Sequence, residues 1–117
     1  MAIYENLPVF KLSYDLLISV FRICSNLNRE HRYSLGERLK SELMDLMIDI
    51  YKANCSEEKA PYLSEAREKI VAIKLYVRLL HDLRGISLKQ FALLSDQMES
   101  ISKQLAAWYK KCSHNVI

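Results

Sequence analysis

Glycine and proline are scarce in this 117-residue chain, with two of each. So few chain-reversing residues exclude collagen-like repeats and turn-rich all-β folds. No apolar run approaches the ~20 residues of a membrane span, because charges interrupt every periodic segment. The opening MAIYENLPVF lacks the basic and then apolar regions of a signal peptide. Cysteines fall only at Cys24, Cys55 and Cys112, an odd count with no Cys-x-x-Cys pair, which argues against a disulfide framework or a thiolate zinc site. A soluble, unprocessed chain in a reducing cytoplasm is expected.

Catalytic signatures are missing as well. Two glycines could hardly build a phosphate-cradling loop, and no nucleotide-binding or nucleophile-elbow motif occurs. None of His31, His81 and His114 follows a Glu at three positions, so the Glu-x-x-His pairs of di-metal helical bundles are absent. The Arg–His motif of certain helical ribonucleases needs four to six intervening residues; Arg78 and His81 have two. Glu42, Asp45 and Asp49 share a face with Arg38 and Lys52, which reads as a solvated salt-bridge stripe. Cys24 and Cys112 read as buried small hydrophobes, and His81 as a surface histidine. No enzymatic activity, metal, cofactor or small-molecule substrate is expected.

Half of the residues are apolar and 26% are charged, enough for one helical domain over residues 1–117 with a core of its own. Net charge is +3, with a pI of about 8.8, which alone proves no polyanionic partner. Four periodic segments predict helices at about 8–26, 35–54, 61–84 and 88–112. Pro8 opens the first, whose buried side carries Val9, Leu12, Leu16, Val20, Ile23 and Leu27 with Phe10, Tyr14, Leu17 and Phe21. Residues 28–33 read as a loop. Ser34 and Glu37 have capping-box spacing and should start the second helix, and Ser87 and Gln90 repeat it before the fourth. Gly85 is placed to take the left-handed conformation that ends the third helix. Phe91, Leu94, Met98, Ile101, Leu105, Trp108 and Cys112 alternate at three and four residues, a bundle seam. An all-α, antiparallel up-down-up-down four-helix bundle follows.

The third helix carries two features beyond a core stripe. Arg67, Lys74, Arg78 and His81 fall in one narrow sector, with Glu68 and Asp82 rotated to one side. Such a row is either a solvated face or a track for the phosphates of a nucleic acid, which Arg84 and Lys89 would extend. Besides the core stripe Ile70, Ile73, Val77 and Leu80, the residues Ala72, Leu75, Tyr76, Leu79 and Leu83 spread apolar surface over more than half the circumference. Either this helix sits centrally in a distorted monomer, or Leu75, Tyr76, Leu79 and Leu83 meet a second subunit.

The segments Glu5-Asn6-Leu7-Pro8-Val9-Phe10-Lys11, Tyr33-Ser34-Leu35-Gly36-Glu37 and Ile50-Tyr51-Lys52-Ala53-Asn54, with Ser100 to Leu105 and Trp108, resemble the accessory variability determinant (Avd) proteins of diversity-generating retroelements. The resemblance covers nearly the whole chain and rests on scaffold signatures, not catalytic motifs. Small four-helix proteins encoded in intervening sequences of bacterial ribosomal RNA genes share the Leu-Pro-Val opening and a Tyr-x-Leu-Gly segment. They differ after the second helix, where their Asn-Ile-Ala-Glu-Gly stands in place of Ala53-Asn54. The Avd resemblance implies a positively charged homopentameric barrel, bacterial or phage in origin, that binds a retroelement reverse transcriptase and RNA or DNA during mutagenic retrohoming. Five chains at +3 each would carry +15, a strong local field. The alternative is an RNA-binding or ribosome-associated protein of the intervening-sequence type.

Overall fold

The computed structural model describes residues 3–113, and these are helical nearly throughout. A 3₁₀ turn, Tyr4–Asn6, leads into α1 (Pro8–Cys24). A helical turn at Arg29–His31 passes through a π-helical segment, Arg32–Gly36, into α2 (Glu37–Cys55). The chain then forms α3 (Ala60–Asp82) and α4 (Leu88–Ser113). Each helix packs on its neighbours in sequence, and α4 closes the square against α1. Cross-helix pairs run in opposite directions. Arg38 meets Tyr76 and Asp49 meets Lys69 between α2 and α3; His81 meets Phe91 and Lys74 meets Glu99 between α3 and α4. The result is an elongated antiparallel bundle, 48 × 21 × 20 Å. No helix of the described residues is long and apolar enough to cross a membrane.

One core runs the length of the bundle. It takes Leu16 and Val20 from α1, Leu39, Leu43, Leu46 and Ile50 from α2, Leu63, Ile73, Val77 and Leu80 from α3, and Leu94, Ile101 and Leu105 from α4. Tyr14 and Phe21, expected inside, are about half exposed, and Leu12 is half-buried. The α1 core stripe instead includes Ser13, fully buried because its hydroxyl donates to Val9 O at 2.8 Å. Trp108 and Cys112 pack at the core's margin, half-buried. Cys24 is buried, and desolvation pushes its thiol above the ordinary cysteine range, so it is an inert hydrophobe.

The helix ends depart from expectation in instructive ways. Residues 29–33 are helical, not a loop, because Asn28 caps them: its Oδ1 accepts from the His31 amide at 2.9 Å. Ser34 caps nothing, since its hydroxyl donates to Glu30 O within the helix. Ser87 and Gln90 do form the reciprocal box, at 2.9 and 3.1 Å. The first helix ends at Cys24, where Arg32 Nη2 donates to Ser25 O and Leu27 O. After α3, the Gly85 amide donates to Leu80 O and the Arg84 amide to His81 O, a Schellman arrangement in which Arg84, with φ 62°, takes the left-handed conformation. Gly85 serves space instead: a Cβ there would meet His31 Cδ2 and Leu80 O at 3.2 Å. Lys59 closes the end of α2 by donating to Ala53 O, Asn54 O and Ser56 O.

Asp49 also differs from its expected place in a solvated stripe. It is buried, and its Oδ2 accepts from Lys69 Nζ on α3 at 2.7 Å. Partial burial works against the Lys69 ammonium, but the hydrogen bond and charge of Asp49, with Glu65 and Asp45 nearby, hold its pKa above the ordinary lysine range. The pair ties α2 to α3 at one register.

Candidate nucleic-acid interface

Of the row predicted on α3, Arg67 and Lys74 line the α3–α4 groove, and the members differ in what they touch. Arg67 lies over the Tyr109 ring, 4.9 Å from its centroid. Lys74 Nζ is 3.4 Å from Glu99 Oε2, and Arg78 Nε is 3.6 Å from Asp82 Oδ2. His81 is half-buried rather than a free surface group: it stacks on Phe91 at 4.3 Å, with Nδ1 3.5 Å from Asp82 Oδ1. Asp82 is thus not set apart from the row but bridges two of its members, because a side chain at i+4 returns to the same helix face. Arg84 is exposed at the end of α3.

The groove itself is lined by Arg67, Ile70, Val71, Lys74, Glu99, Ser102, Lys103 and Ala106. Lys103 on α4 was not among the predicted residues, since only packing α4 against α3 brings it there. Ser102 Oγ has no hydrogen-bond partner among the described residues. The ion pairs here are solvent-exposed, and such pairs contribute only about 0–1 kcal/mol, so a phosphate can displace the carboxylates at little cost. The groove presents Arg67, Lys74 and Lys103 to a polyanion, with Arg78 exposed beyond it.

The surplus apolar surface also resolves into named residues. Val71, Leu75, Leu79 and Leu83 form a ridge on the solvent side of α3, with Leu75 64% exposed. Tyr76, grouped with them from the sequence, does not share that ridge: it is half-buried, and its hydroxyl accepts from Arg38 Nε at 3.3 Å across the α2–α3 groove. A second apolar surface lies between α1 and α2. There Tyr4, Phe10, Tyr14, Leu17, Met44 and Met47 line a groove of about 440 Å³ between α1 and α2, with Ile48 and Tyr51 exposed beside it. Sequence patterning missed this groove because the same residues widen an ordinary core stripe.

A bAvd-like family model matches residues 9–112, nearly the whole helical bundle. The chain belongs to the bAvd-like family. This agrees with the resemblance to Avd proteins read from the sequence. A bAvd-like chain is also similar in fold to a crystal structure from Bacteroides thetaiotaomicron, a protein of unknown function from the S23 ribosomal protein family. The two share 14% identity at a TM-score of 0.79, over 87% of this chain and 98% of that one. No curated protein matches the chain.

Proposed function

We propose that this bAvd-like protein is a non-enzymatic accessory of a retroelement reverse transcriptase that holds RNA or DNA along the α3–α4 groove of a ring-shaped homo-oligomer. The carrying observation is the convergence of Arg67, Lys74 and Lys103, from two helices, on one groove with Arg78 and Arg84 beyond it. Family membership supports the accessory role. Two apolar surfaces, one on α3 and one between α1 and α2, suit a head-to-tail contact, which generates a ring where the rotation between subunits closes. In this reading the Leu75, Leu79 and Leu83 ridge seats in the α1–α2 groove of the next subunit, Tyr76 stays outside the contact, and five subunits complete the ring as in the Avd resemblance.

The α3–α4 groove makes a quantitative claim. Each cation that neutralises one phosphate contributes about 0.7–0.9 to the salt slope of log K. Reversing Arg67, Lys74 and Arg78 to Glu should weaken binding to RNA or DNA and flatten that slope by about 2 or more. Helix content and oligomer size should persist, since no core position changes. Equal loss from reversing Arg22, Lys52 and Lys111 would refute a site on α3 and leave only bulk electrostatics.

The ribosomal family name of the similarly folded protein suits a second reading, an RNA-binding or ribosome-associated protein of the intervening-sequence type. Copurification with ribosomal RNA rather than with a reverse transcriptase would select it.

A further inference from the structure

The Tyr33-Ser34-Leu35-Gly36-Glu37 segment has no part in the α3–α4 groove, yet the fold treats it distinctively. Its first four residues fall in the π-helical stretch Arg32–Gly36, a widened turn of a kind that recurs at functional sites. The segment continues into α2 without a break, and Gly36 packs against Cys24, where a Cβ would meet Sγ at 3.3 Å. It opens on a cleft of about 620 Å³ between the start of α2 and the middle of α3, lined by Tyr33, Ser34, Leu35, Glu37, Arg38, Ser41 and Tyr76.

We infer that this cleft binds one nucleotide unit of a single-stranded nucleic acid, with the base stacked on Tyr33 and its phosphate held by Arg38. The inference rests on the nucleic-acid reading above but places contacts on a different face. Tyr33 is 65% exposed, and the Arg29 guanidinium lies 5.9 Å from its ring centroid, steadying a ring with surface left for a base. Arg38 donates through Nε to the Tyr76 hydroxyl at 3.3 Å, which leaves its two terminal amino groups for a phosphate. Because Tyr76 Oη accepts from Arg38, its own proton remains to be donated to a ligand oxygen. The carboxylate lining the cleft, Glu37, lies 3.4 Å from Lys40 and is partly neutralised there. An acidic peptide would need only Arg38, whereas a nucleotide uses both the cation and the exposed ring.

The test is fluorescence anisotropy with a labelled 20-mer of thymidylate across a range of KCl, using the full chain. Circular dichroism and sizing verify that each variant folds and assembles like the parent. Tyr33→Ala should bind about tenfold more weakly with an unchanged salt slope, and Tyr33→Phe should bind within twofold of the parent. Arg38→Gln should weaken binding and flatten the slope by about 0.7. A blunt 20-base-pair duplex, whose bases are already stacked, should not distinguish Tyr33→Ala from the parent.

Parent-like binding of the 20-mer by Tyr33→Ala or Arg38→Gln overturns the cleft. If the α3 reversals still weaken that binding, the proposed function stands without it. If the parent binds neither probe, the nucleic-acid reading falls and the cleft falls with it. Loss of binding to labelled polyglutamate alone in the Arg38 variant would make the cleft a peptide site and overturn the nucleotide assignment.

Discussion

Removing Lys69 from its pair with Asp49 should cost more than removing Asp49. The Asp49 residue is 4% exposed, whereas the Lys69 side chain keeps 24% of its surface in water. Lys69→Met therefore strands a carboxylate inside the α2–α3 contact. Breaking a fully buried pair costs about 3–5 kcal/mol; the wetted end of this one reduces the expectation to about 2–3 kcal/mol. At about 4 °C per kcal/mol for a domain of this size, the melting temperature should fall by roughly 10 °C. Asp49→Leu leaves a lysine whose stem can turn its ammonium outward, at about 1 kcal/mol or less. Replacing both residues with Leu and Met should stay within about 1 kcal/mol of the parent.

The pH dependence carries its own sign. Because the Lys69 pKa is raised in the folded state, its contribution is fully present below the ordinary lysine value and is lost as pH rises through the raised one. Urea unfolding followed at 222 nm at pH 7 measures each midpoint, and an unchanged m value keeps the comparison valid. A Lys69→Met variant within about 0.5 kcal/mol of the parent at pH 7, or an Asp49→Leu variant that is the less stable, would show that the carboxylate is not sealed.

Two serines with the same spacing to a polar residue should behave differently. Ser87→Ala should cost about 1 kcal/mol by thermal unfolding, since Ser87 Oγ accepts from the Gln90 amide, whereas Ser34→Ala should cost a few tenths at most, since Ser34 only donates to Glu30 O. Arg84→Gly should raise stability by about 0.5–1 kcal/mol by relieving a left-handed arginine, while weakening nucleic-acid binding with a flatter salt slope; no gain in melting temperature would refute the strain.

Hydrophobic periodicity was sufficient for the all-helical character, the α4 seam from Leu94 through Leu105 and the core stripe of α3, because burial against one neighbour imprints a 3.6-residue repeat. The Ser87–Gln90 box was legible for a similar reason: its two hydrogen bonds close within four residues. Local spacing misled where another group competed. Asn28 captured the helix start that Ser34 seemed to own, and the left-handed position fell on Arg84 one residue before the glycine.

A row of cations on α3 is likewise a property of one helix and can be read from its sequence. Whether that row meets Glu99 and Lys103, whether Tyr76 faces solvent or Arg38, and whether Asp49 is wet or sealed depend on which helix lies alongside and in what register. Those contacts join residues 20 to 38 positions apart, and only the packed bundle sets them.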